Sequence, residues 1–512
     1  MGSRVLGEGG NAIDAAVATA LALAVSYPQA GNLGGGGFML IHRPDGQVHF
    51  LDFRETAPRG ITTHHLISNA AADSSRVGAL AVGVPGTVAG LALALERFGT
   101  WKWERVTQPA IELAENGTWL TTRQAAYFDL FNDQLSRYES TRRVFSHEGK
   151  PLQPGRLLRQ RDLAQTLRVL AEDGPMSFYT GRVAKQLAAT IRAERGVLDE
   201  EDLANYRPQW REPIVTDFCG RQVVTAGLPS GGGMIVQISL ALLQSSGALS
   251  MAPGSTERLD LMGRTFRVAF ALMREHAGDP DHMSAEQHHE FSVLLNRVRT
   301  EPDLQQFESE VLDPRPRPDH FGDSKNTTHF SLLDSAGNAV SLTFSLNTLF
   351  GSKLMVDGGG YLLNNCLDDF LLAPNAPNWY DLVPGERNLL QPGRRPVSSM
   401  SPTVVRSGLE AELIVGGSGG PRIPTMLTQL IVGTIADGLS LEQAIQKPRV
   451  HHQYLPEELA IENAMPEAVT SGLSARWSKR CMLPQLGIGV GIQRRPATGK
   501  LSLSLDSRFS FE

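Results

Sequence analysis

One threonine, Thr327, stands where a threonine can act as a nucleophile. It follows residues 297–326, a charged stretch with four prolines and little periodicity, and it opens a strand pattern at 328–334. A loop of about thirty residues in a compact protein is typically functional or disordered, so it is a plausible place for a cut. If the Asn326–Thr327 bond is cut, Thr327 gains an α-amine with a pKa near about 8, which can act as base for its own hydroxyl.

Ser345 is predicted to lie opposite Thr327. The strand patterns at 328–334 and 339–345 are separated by Ser-Ala-Gly-Asn, which is typical of a turn. With the turn centred near Ala336, a simple hairpin register pairs position 327 with position 345, so the Ser345 hydroxyl can hold the new amine or hydroxyl. The local pattern by itself favours an ordinary interpretation, in which Thr327, Thr328 and Ser345 are strand-forming residues, because threonine is common in strands.

A glycine-rich turn at 416–421 joins a predicted strand to a predicted helix. Pro421 fits the first helical position, where its missing N–H costs nothing. The amides of Gly419 and Gly420 would then lie at a helix N-terminus, where backbone N–H groups can stabilise an oxyanion. The turn is therefore a candidate oxyanion site.

The same turn also matches the G-x-S-x-G nucleophile elbow of α/β-hydrolases, with Ser418 as nucleophile. That alternative requires an acid and then a histidine further along the chain. Asp437 and His451 are only fourteen residues apart, and the preceding strands form hairpins rather than parallel units. The sequence therefore disfavours the elbow.

The surrounding elements predict an α+β protein. Strands are predicted at 38–42, 48–53, 401–405 and 412–415, and helices at 86–118, 158–195, 255–277 and 422–438. Hairpins with flanking helices favour a layered αββα arrangement. The apolar run at 12–25 is too short to span a bilayer and is predicted as a buried helix capped by Asn11.

Composition narrows the function classes. The 512 residues are 41% hydrophobic with a net charge of −6, so no basic field attracts nucleic acid or a membrane surface. Three separated cysteines indicate neither a disulfide framework nor a CxxC metal pair. The three His-His pairs are sequence neighbours, and the glycines at 34–37 precede a strand rather than a helix. No metal or other cofactor is expected.

Seven segments together resemble the γ-glutamyltransferase (glutathione hydrolase) family of N-terminal-nucleophile hydrolases. They are NTTHFS at 326–331, EGGNAIDAA at 8–16, PQAGNLGGGGF at 28–38, DFRETAP at 52–58, VPGTVAG at 84–90, SSMSP at 398–402 and HHQ at 451–453. The resemblance extends from about residue 6 to the end. It implies a four-layer αββα sandwich and a precursor that cuts itself into a large subunit, 1–326, and a small subunit, 327–512, which remain together as an intertwined heterodimer.

The resemblance also implies the chemistry. Thr327 would attack the γ-amide of glutathione or another γ-glutamyl compound, and the acyl group would pass to water or to an amino acid or peptide. Ser345 stands where the family usually has threonine and keeps the hydroxyl. Gly419 and Gly420 would form the oxyanion hole, and Asn347 would contact the donor or the nucleophile.

For the donor's charged groups, the resemblance implies that Arg54 clamps the α-carboxylate together with the hydroxyls of Ser398 and Ser399. Asp369 would pair with the α-ammonium. Taken by itself, Arg54 is more typical of a surface salt bridge with a neighbouring acid, Asp52 or Glu55. The two serines alone are typical of a loop or a helix cap, and Asp369 alone of a solvated turn.

Cys366 departs from the family pattern. It stands three residues before Asp369, where the family has Glu or Gln, and a thiol is a weak acceptor. One ammonium contact is therefore expected to be lost or rerouted, for example to Asn365. A related acylase that takes glutaryl donors, such as a cephalosporin side chain, is the alternative, because glutaryl carries no amine.

Two further features follow from the resemblance. Residues 373–380 resemble a loop that covers the donor pocket in some bacterial members, so we expect a lid with Tyr380 over the site; the alternative is an ordinary proline-rich loop.

The sequence begins inside the family's first helix, so the first strand and the export signal of this usually periplasmic or secreted family are expected to be missing. An open sheet edge would weaken folding. A third hypothesis is therefore that the chain is an N-terminally truncated, non-catalytic relic.

Overall fold

Two antiparallel sheets form the centre of the protein. The computed structural model describes residues 1–67, 73–311, 327–495 and 498–508. The strands of the two sheets are β1 (Gly36–His42), β2 (Val48–Phe53), β3 (Gln209–Arg211), β4 (Ile214–Phe218), β5 (Arg221–Thr225), β6 (Thr327–Leu333), β7 (Ala339–Ser345), β8 (Thr403–Ser407), β9 (Glu410–Ser418), β10 (Ile488–Arg494) and β11 (Leu501–Leu505). The first sheet has the order β6-β7-β1-β2-β3 and the second β11-β10-β9-β8-β5-β4.

Helices cover the outer face of each sheet. The longer ones are α1 (Ala12–Ser26), α2 (Thr87–Phe98), α3 (Trp103–Asn116), α4 (Arg161–Asp173), α5 (Arg182–Ala193), α6 (Gly231–Ser245), α7 (Thr256–His276), α8 (Ala285–Thr300) and α9 (Arg422–Ile431). Shorter helices include Thr122–Leu130, Glu139–Phe145, Leu304–Glu310, Leu441–Gln446 and Glu467–Ser474, and a small sheet joins Val450–His451, Leu459–Glu462 and Arg480–Leu483. Within the described residues, no helix combines the length and apolar character needed to cross a membrane.

Side-chain alternation along the strands builds the layers. Phe38 and Leu40 of β1 pack between the two sheets against Ile414 of β9. Their neighbours Met39 and Ile41 point the other way, into the core beneath α1 to α5. A third core joins the outer face of the second sheet to α6, α7 and α9. Because successive strand residues face opposite sides, each strand contributes side chains to two layers. The predicted αββα arrangement is confirmed.

The hairpin at Thr327 has the predicted register. Thr327 pairs with Ser345, and Leu333 pairs with Ala339 at the turn. Strand β7 in turn pairs with β1 over seven residues, Gly36 opposite Ser345. Thr327 is therefore the first residue of an edge strand, and Ser345 lies one strand inward.

Several element predictions were wrong in detail. The helix predicted at 86–118 is broken at Gly99, whose close contact with the Leu95 carbonyl leaves no room for a Cβ. The one predicted at 158–195 is three helices, interrupted near Gly174 and Gly181. The supposed linker at 297–326 contains the helix Leu304–Glu310, packed through Leu304 and Phe307 on the core with α7. By contrast, the Asn11 cap of α1 is confirmed, as a capping box with Asp14.

Candidate active site

A single cleft gathers most of the residues predicted from the sequence. The predicted residues that line it are Thr327, Ser345, Asn347, Gly420, Arg54, Asp369, Tyr380, Ser398 and Ser399. They come from the ends of β6, β7 and β2, from the turn after β9, and from the loops between β7 and β8. Asn326, the other half of the expected cleavage site, lies outside the described residues. Segments far apart in the chain thus converge on one surface.

The Thr327 side of the cleft is held by short-range hydrogen bonds. Thr327 is buried, with 9% of its surface exposed. Across the hairpin, the Ser345 hydroxyl accepts a hydrogen bond of 2.9 Å from the backbone amide of Asn347. Asn347 has a φ of 79°, a left-handed conformation that asparagine tolerates better than most residues, and its side chain donates to the Asn365 carbonyl at 3.2 Å. The bend after β7 therefore turns Asn347 into the cleft.

The glycine turn brings backbone close to the same cleft. Gly420 has a φ of 55°, and a Cβ there would lie 2.8 Å from the ring of Tyr380, so only glycine fits. Gly419 does not itself line the cleft but directly precedes Gly420. Within the described part of the chain, no backbone carbonyl accepts a hydrogen bond from either glycine amide. Helix α9 begins at Arg422, so Pro421 is the cap residue rather than the first helical residue as predicted.

The α/β-hydrolase alternative is excluded. Both neighbours of β9 run antiparallel to it, whereas that fold needs a parallel sheet. The supposed acid Asp437 pairs with Arg258 at 2.8 Å. The supposed histidine His451 contacts the Thr425 hydroxyl through Nδ1 at 2.9 Å, and burial lowers its pKa to about 3.

Arg54 forms a buried ion-pair cluster at the cleft. Its Nη1 donates to Glu55 at 3.0 Å and to the Cys366 sulfur at 3.2 Å, and its Nη2 donates to Asp369. Its Nε donates to the Pro396 carbonyl at 3.3 Å. Glu55 is one of the two acids that the sequence alone suggests as a salt-bridge partner of Arg54. The Arg54 side chain is only 2% exposed, so this ion pair is buried and does not lie on the surface. A fixed guanidinium fork faces the cleft.

Asp369 shares this cluster. Burial raises the pKa of Asp369 to about 7, even though the Arg54 charge opposes that rise. The Asn388 side chain donates to the Asp369 backbone carbonyl at 2.8 Å, and the Asn378 amide lies 3.5 Å from the Asp369 carboxylate. Both asparagines line the cleft, and sequence reasoning missed them. Asn378 stands two residues before Tyr380 in the proline-rich loop and could have been suspected, whereas Asn388 lies in no recognisable motif.

The loop at 373–380 is tied down at the cleft. The Tyr380 hydroxyl donates to the Asn347 carbonyl at 2.9 Å, and its carbonyl accepts from Gln453 at 3.1 Å. The backbone amide of Trp379 donates to Asp368 at 2.7 Å. Tyr380 therefore lies against the Gly420 turn, where the lid was predicted.

Ser398 and Ser399 lie on the loop that leads into β8. Ser398 is buried, and its hydroxyl accepts from the Met400 amide at 3.2 Å; Ser399 is half-buried. Asn388 links this loop to Asp369, because its side-chain oxygen accepts from the Val397 amide at 3.0 Å. The two serines and Asp369 are thus held in one rigid frame.

Cys366 does not line the cleft. It is fully buried behind Arg54, and burial raises the pKa of its thiol well above the usual value. The thiol is therefore neutral and a poor nucleophile. Asn365, the suggested substitute, is committed elsewhere, because its side chain donates to the Arg76 carbonyl and the Thr348 hydroxyl, each at 2.9 Å. The Asn365 side chain is therefore held by other partners and does not line the cleft.

The fold and its neighbours define a class. Two facing antiparallel sheets between helical layers are the architecture of the N-terminal-nucleophile hydrolases. The solved cephalosporin acylase of Bacillus halodurans matches with a TM-score of 0.85 at 26% identity, covering 99% of this chain and 92% of that one. The Helicobacter pylori γ-glutamyltranspeptidase structure matches with a TM-score of 0.56 at 34% identity, covering 62% and 90%.

Sequence comparison defines the family. The family model described as gamma-glutamyltranspeptidase matches residues 1–508. A glutathione hydrolase proenzyme of Escherichia coli K12 is 38% identical over 517 residues, which covers 99% of this chain and 88% of that protein. The chain belongs to the γ-glutamyltranspeptidase family.

Proposed function

We propose that this chain cuts itself between Asn326 and Thr327 and then hydrolyses or transfers γ-glutamyl groups through Thr327. One observation carries the proposal: Thr327 begins strand β6 in a cleft that also holds Arg54 and Asp369. A nucleophile and a paired set of charges of opposite sign are what an acyl transfer from a zwitterionic donor requires. The glutathione hydrolase proenzymes among the relatives support the same activity.

Cleavage at this bond would leave two interleaved subunits. The first sheet takes β1, β2 and β3 from residues 1–326 and β6 and β7 from residues 327–512. The second sheet is divided in the same way between β4 and β5 and the later strands. Separating the pieces would break the β1–β7 and β5–β8 ladders and expose the core between the sheets, so a stable large–small heterodimer is expected.

The reaction can be written from the residues in the cleft. The Thr327 hydroxyl attacks the γ-carbonyl carbon and passes its proton to the freed α-amine, while the amides of Gly419 and Gly420 bind the oxyanion. The amine gives that proton to the leaving nitrogen, the C–N bond breaks, and a γ-glutamyl ester remains on Thr327. Water or an acceptor amine then attacks the ester, the C–O bond breaks, and the hydroxyl is restored.

The donor's charged end would be bound by the ion-pair cluster. The Arg54 fork matches a carboxylate, with the hydroxyls of Ser398 and Ser399 beside it. Asp369 would pair with the α-ammonium. In this scheme the donor inserts between Arg54 and Asp369, which now bond to each other.

The role of Asp369 predicts a pH dependence. Only the carboxylate form pairs with an ammonium, and the pKa of Asp369 is about 7. Below that pH most of the group is protonated, so the KM for a γ-glutamyl anilide should fall as pH rises through about 7. The KM for a glutaryl anilide, which has no ammonium, should lack this fall. Equal pH profiles for the two donors would contradict the role, and Asp369→Asn should remove the difference.

The donor class is tested at position 366. Wild-type protein should turn over the γ-glutamyl anilide faster than the glutaryl anilide; the reverse order would favour the acylase alternative. Cys366→Gln tests whether a longer side chain at this buried position reaches past Arg54 into the cleft: with one added hydrogen bond to the ammonium, kcat/KM for the γ-glutamyl donor should rise by about tenfold. It should leave the glutaryl donor unchanged, and Cys481→Ser, a half-buried cysteine away from the cleft, serves as the matched control. A Gln variant without any gain would show that position 366 does not recognise the ammonium.

A further inference from the structure

One asparagine side chain, Asn388, joins two loop segments that meet at the cleft. Its Nδ2 donates to the backbone carbonyl of Asp369 at 2.8 Å, and its Oδ1 accepts from the backbone amide of Val397 at 3.0 Å. Asn388 is 4% exposed and lines the cleft. A single amide group therefore connects the main chain at position 369 with the main chain at position 397.

The two segments carry opposite halves of the proposed donor site. Asp369 would bind the donor's α-ammonium. Val397 directly precedes Ser398 and Ser399, whose hydroxyls would bind the α-carboxylate together with Arg54. In an α-amino acid both charged groups are attached to one carbon atom, so a site that binds both must hold its two halves at one fixed spacing.

Arg54 also links the two halves, but through groups that the donor would use. Its Nη2 donates to the Asp369 carboxylate, and its Nε donates to the Pro396 carbonyl at 3.3 Å. In the proposed function the donor inserts between Arg54 and Asp369, so their direct contact is replaced when the donor binds. The hydrogen bonds of Asn388 go to main-chain atoms and need not break. Asn388 can therefore keep the two halves at their spacing while the donor is bound.

The carboxylate half has anchors of its own. The Ser398 amide donates to the Pro229 carbonyl at 3.0 Å, and the Ser398 carbonyl accepts from the Gly232 amide at 3.1 Å. These bonds hold the serine loop to the beginning of α6 without any contribution from Asn388. Loss of the Asn388 side chain should therefore displace Asp369 more than the serines.

We infer that Asn388 is a positioning residue, which holds Asp369 at the distance from Ser398 that an α-amino acid donor requires. It acts through Asp369 and makes the site favour donors that carry an α-ammonium as well as an α-carboxylate. This inference rests on the proposed function, because it assumes that Asp369 and Ser398 bind the donor.

Two competitive inhibitors of the processed protein test this role. L-Glutamate carries both α-groups of the donor, and glutarate is the same molecule without the amine. In Asn388→Ala, the Ki of L-glutamate against γ-glutamyl anilide hydrolysis should rise about five- to tenfold, the scale of one hydrogen bond, and the Ki of glutarate should change by less than about twofold. The KM for the anilide should rise in parallel at nearly constant kcat, as expected when binding alone is weakened.

Asn338→Ala is the matched control. Asn338 is 6% exposed, its side chain donates to Asp334 and accepts from Arg43, each at 2.7 Å, and it does not line the cleft. This variant also loses one donated and one accepted hydrogen bond, yet both Ki values should stay at the wild-type level. Asn388→Ser, whose shorter side chain cannot span both partners, is the second variant should Asn388→Ala not fold, and it should show the same difference between the two inhibitors.

The possible outcomes separate this inference from the proposed function. An equal rise in both Ki values, no rise in either, or a fall in kcat at unchanged Ki would overturn the positioning role. The same rise in Asn338→Ala would overturn it too, because the effect would then follow from general loosening of the fold. In all these cases the wild type still hydrolyses the anilide and the proposed function stands. If the processed wild type hydrolyses no γ-glutamyl anilide, the proposed function fails and the inference fails with it.

Discussion

Thr327→Ala is expected to yield a folded, uncut 512-residue chain without γ-glutamyl hydrolase activity. The variant lacks the hydroxyl that attacks the donor in the proposed mechanism and that self-cleavage by Thr327 would also require. Loss of a nucleophile typically lowers turnover by about 10⁴-fold or more, so residual activity should be undetectable beside the wild type. A denaturing gel and intact-mass measurement would follow the cut, and γ-glutamyl anilide hydrolysis would follow turnover.

Two neighbouring changes make this test specific. Thr327→Ser keeps a hydroxyl and should still cut and turn over, though more slowly. Thr328→Val alters the next residue, whose buried hydroxyl has no hydrogen-bond partner among the described residues, and should behave as wild type. Mass spectrometry of wild-type protein should find threonine 327 as the new N-terminus. A Thr327→Ala chain that still splits at this bond would contradict self-cleavage by Thr327.

Arg54→Lys is expected to raise the KM for γ-glutamyl donors by about 10- to 100-fold. A lysine keeps the charge but cannot form the two-pronged contact with a carboxylate, and a hydrogen bond to a charged group is worth about 1.5–3 kcal/mol. The KM for glutaryl donors should rise as well only if their free carboxylate binds the same Arg54 guanidinium. Steady-state kinetics on the processed protein would measure it.

Arg54→Ala should instead act on stability. The variant would leave Glu55 and Asp369, which are both buried, without their cationic partner and next to a cavity. Breaking a buried ion pair typically lowers the free energy of unfolding by about 3–5 kcal/mol. Urea unfolding in the Thr327→Ala background would measure this loss, because the chain there is expected to stay in one piece. For the KM test with Arg54→Lys, the matched control is Arg59→Lys, since Arg59 is 45% exposed and pairs with acids outside the cleft. An Arg54→Lys variant with an unchanged KM would remove Arg54 from donor binding.

Local sequence patterns predicted several of the elements of this fold. The hairpin of β6 and β7 could be placed to the residue, because a turn centred on Ala336 between two strands sets Ser345 opposite Thr327. The α1 cap and the glycine turn before α9 were likewise predictable, since both depend on residues adjacent in the chain. The helix breaks near Gly99 and Gly181 were missed because apolar spacing alone does not mark where a helix ends, although glycine is common at that position.

The sequence by itself therefore determined the strands around the candidate site, the strand-initial threonine and, through its resemblance to a family, the set of residues to examine. Only the tertiary structure decided which of them share the cleft. Arg54 and Asp369 are 315 positions apart, yet they form one ion pair. Cys366 is buried behind Arg54 and does not line the cleft, whereas Asn378 and Asn388 do. The physical reason is that the burial and the ion pairing of these side chains depend on contacts between segments far apart in the chain, which a local sequence pattern does not predict.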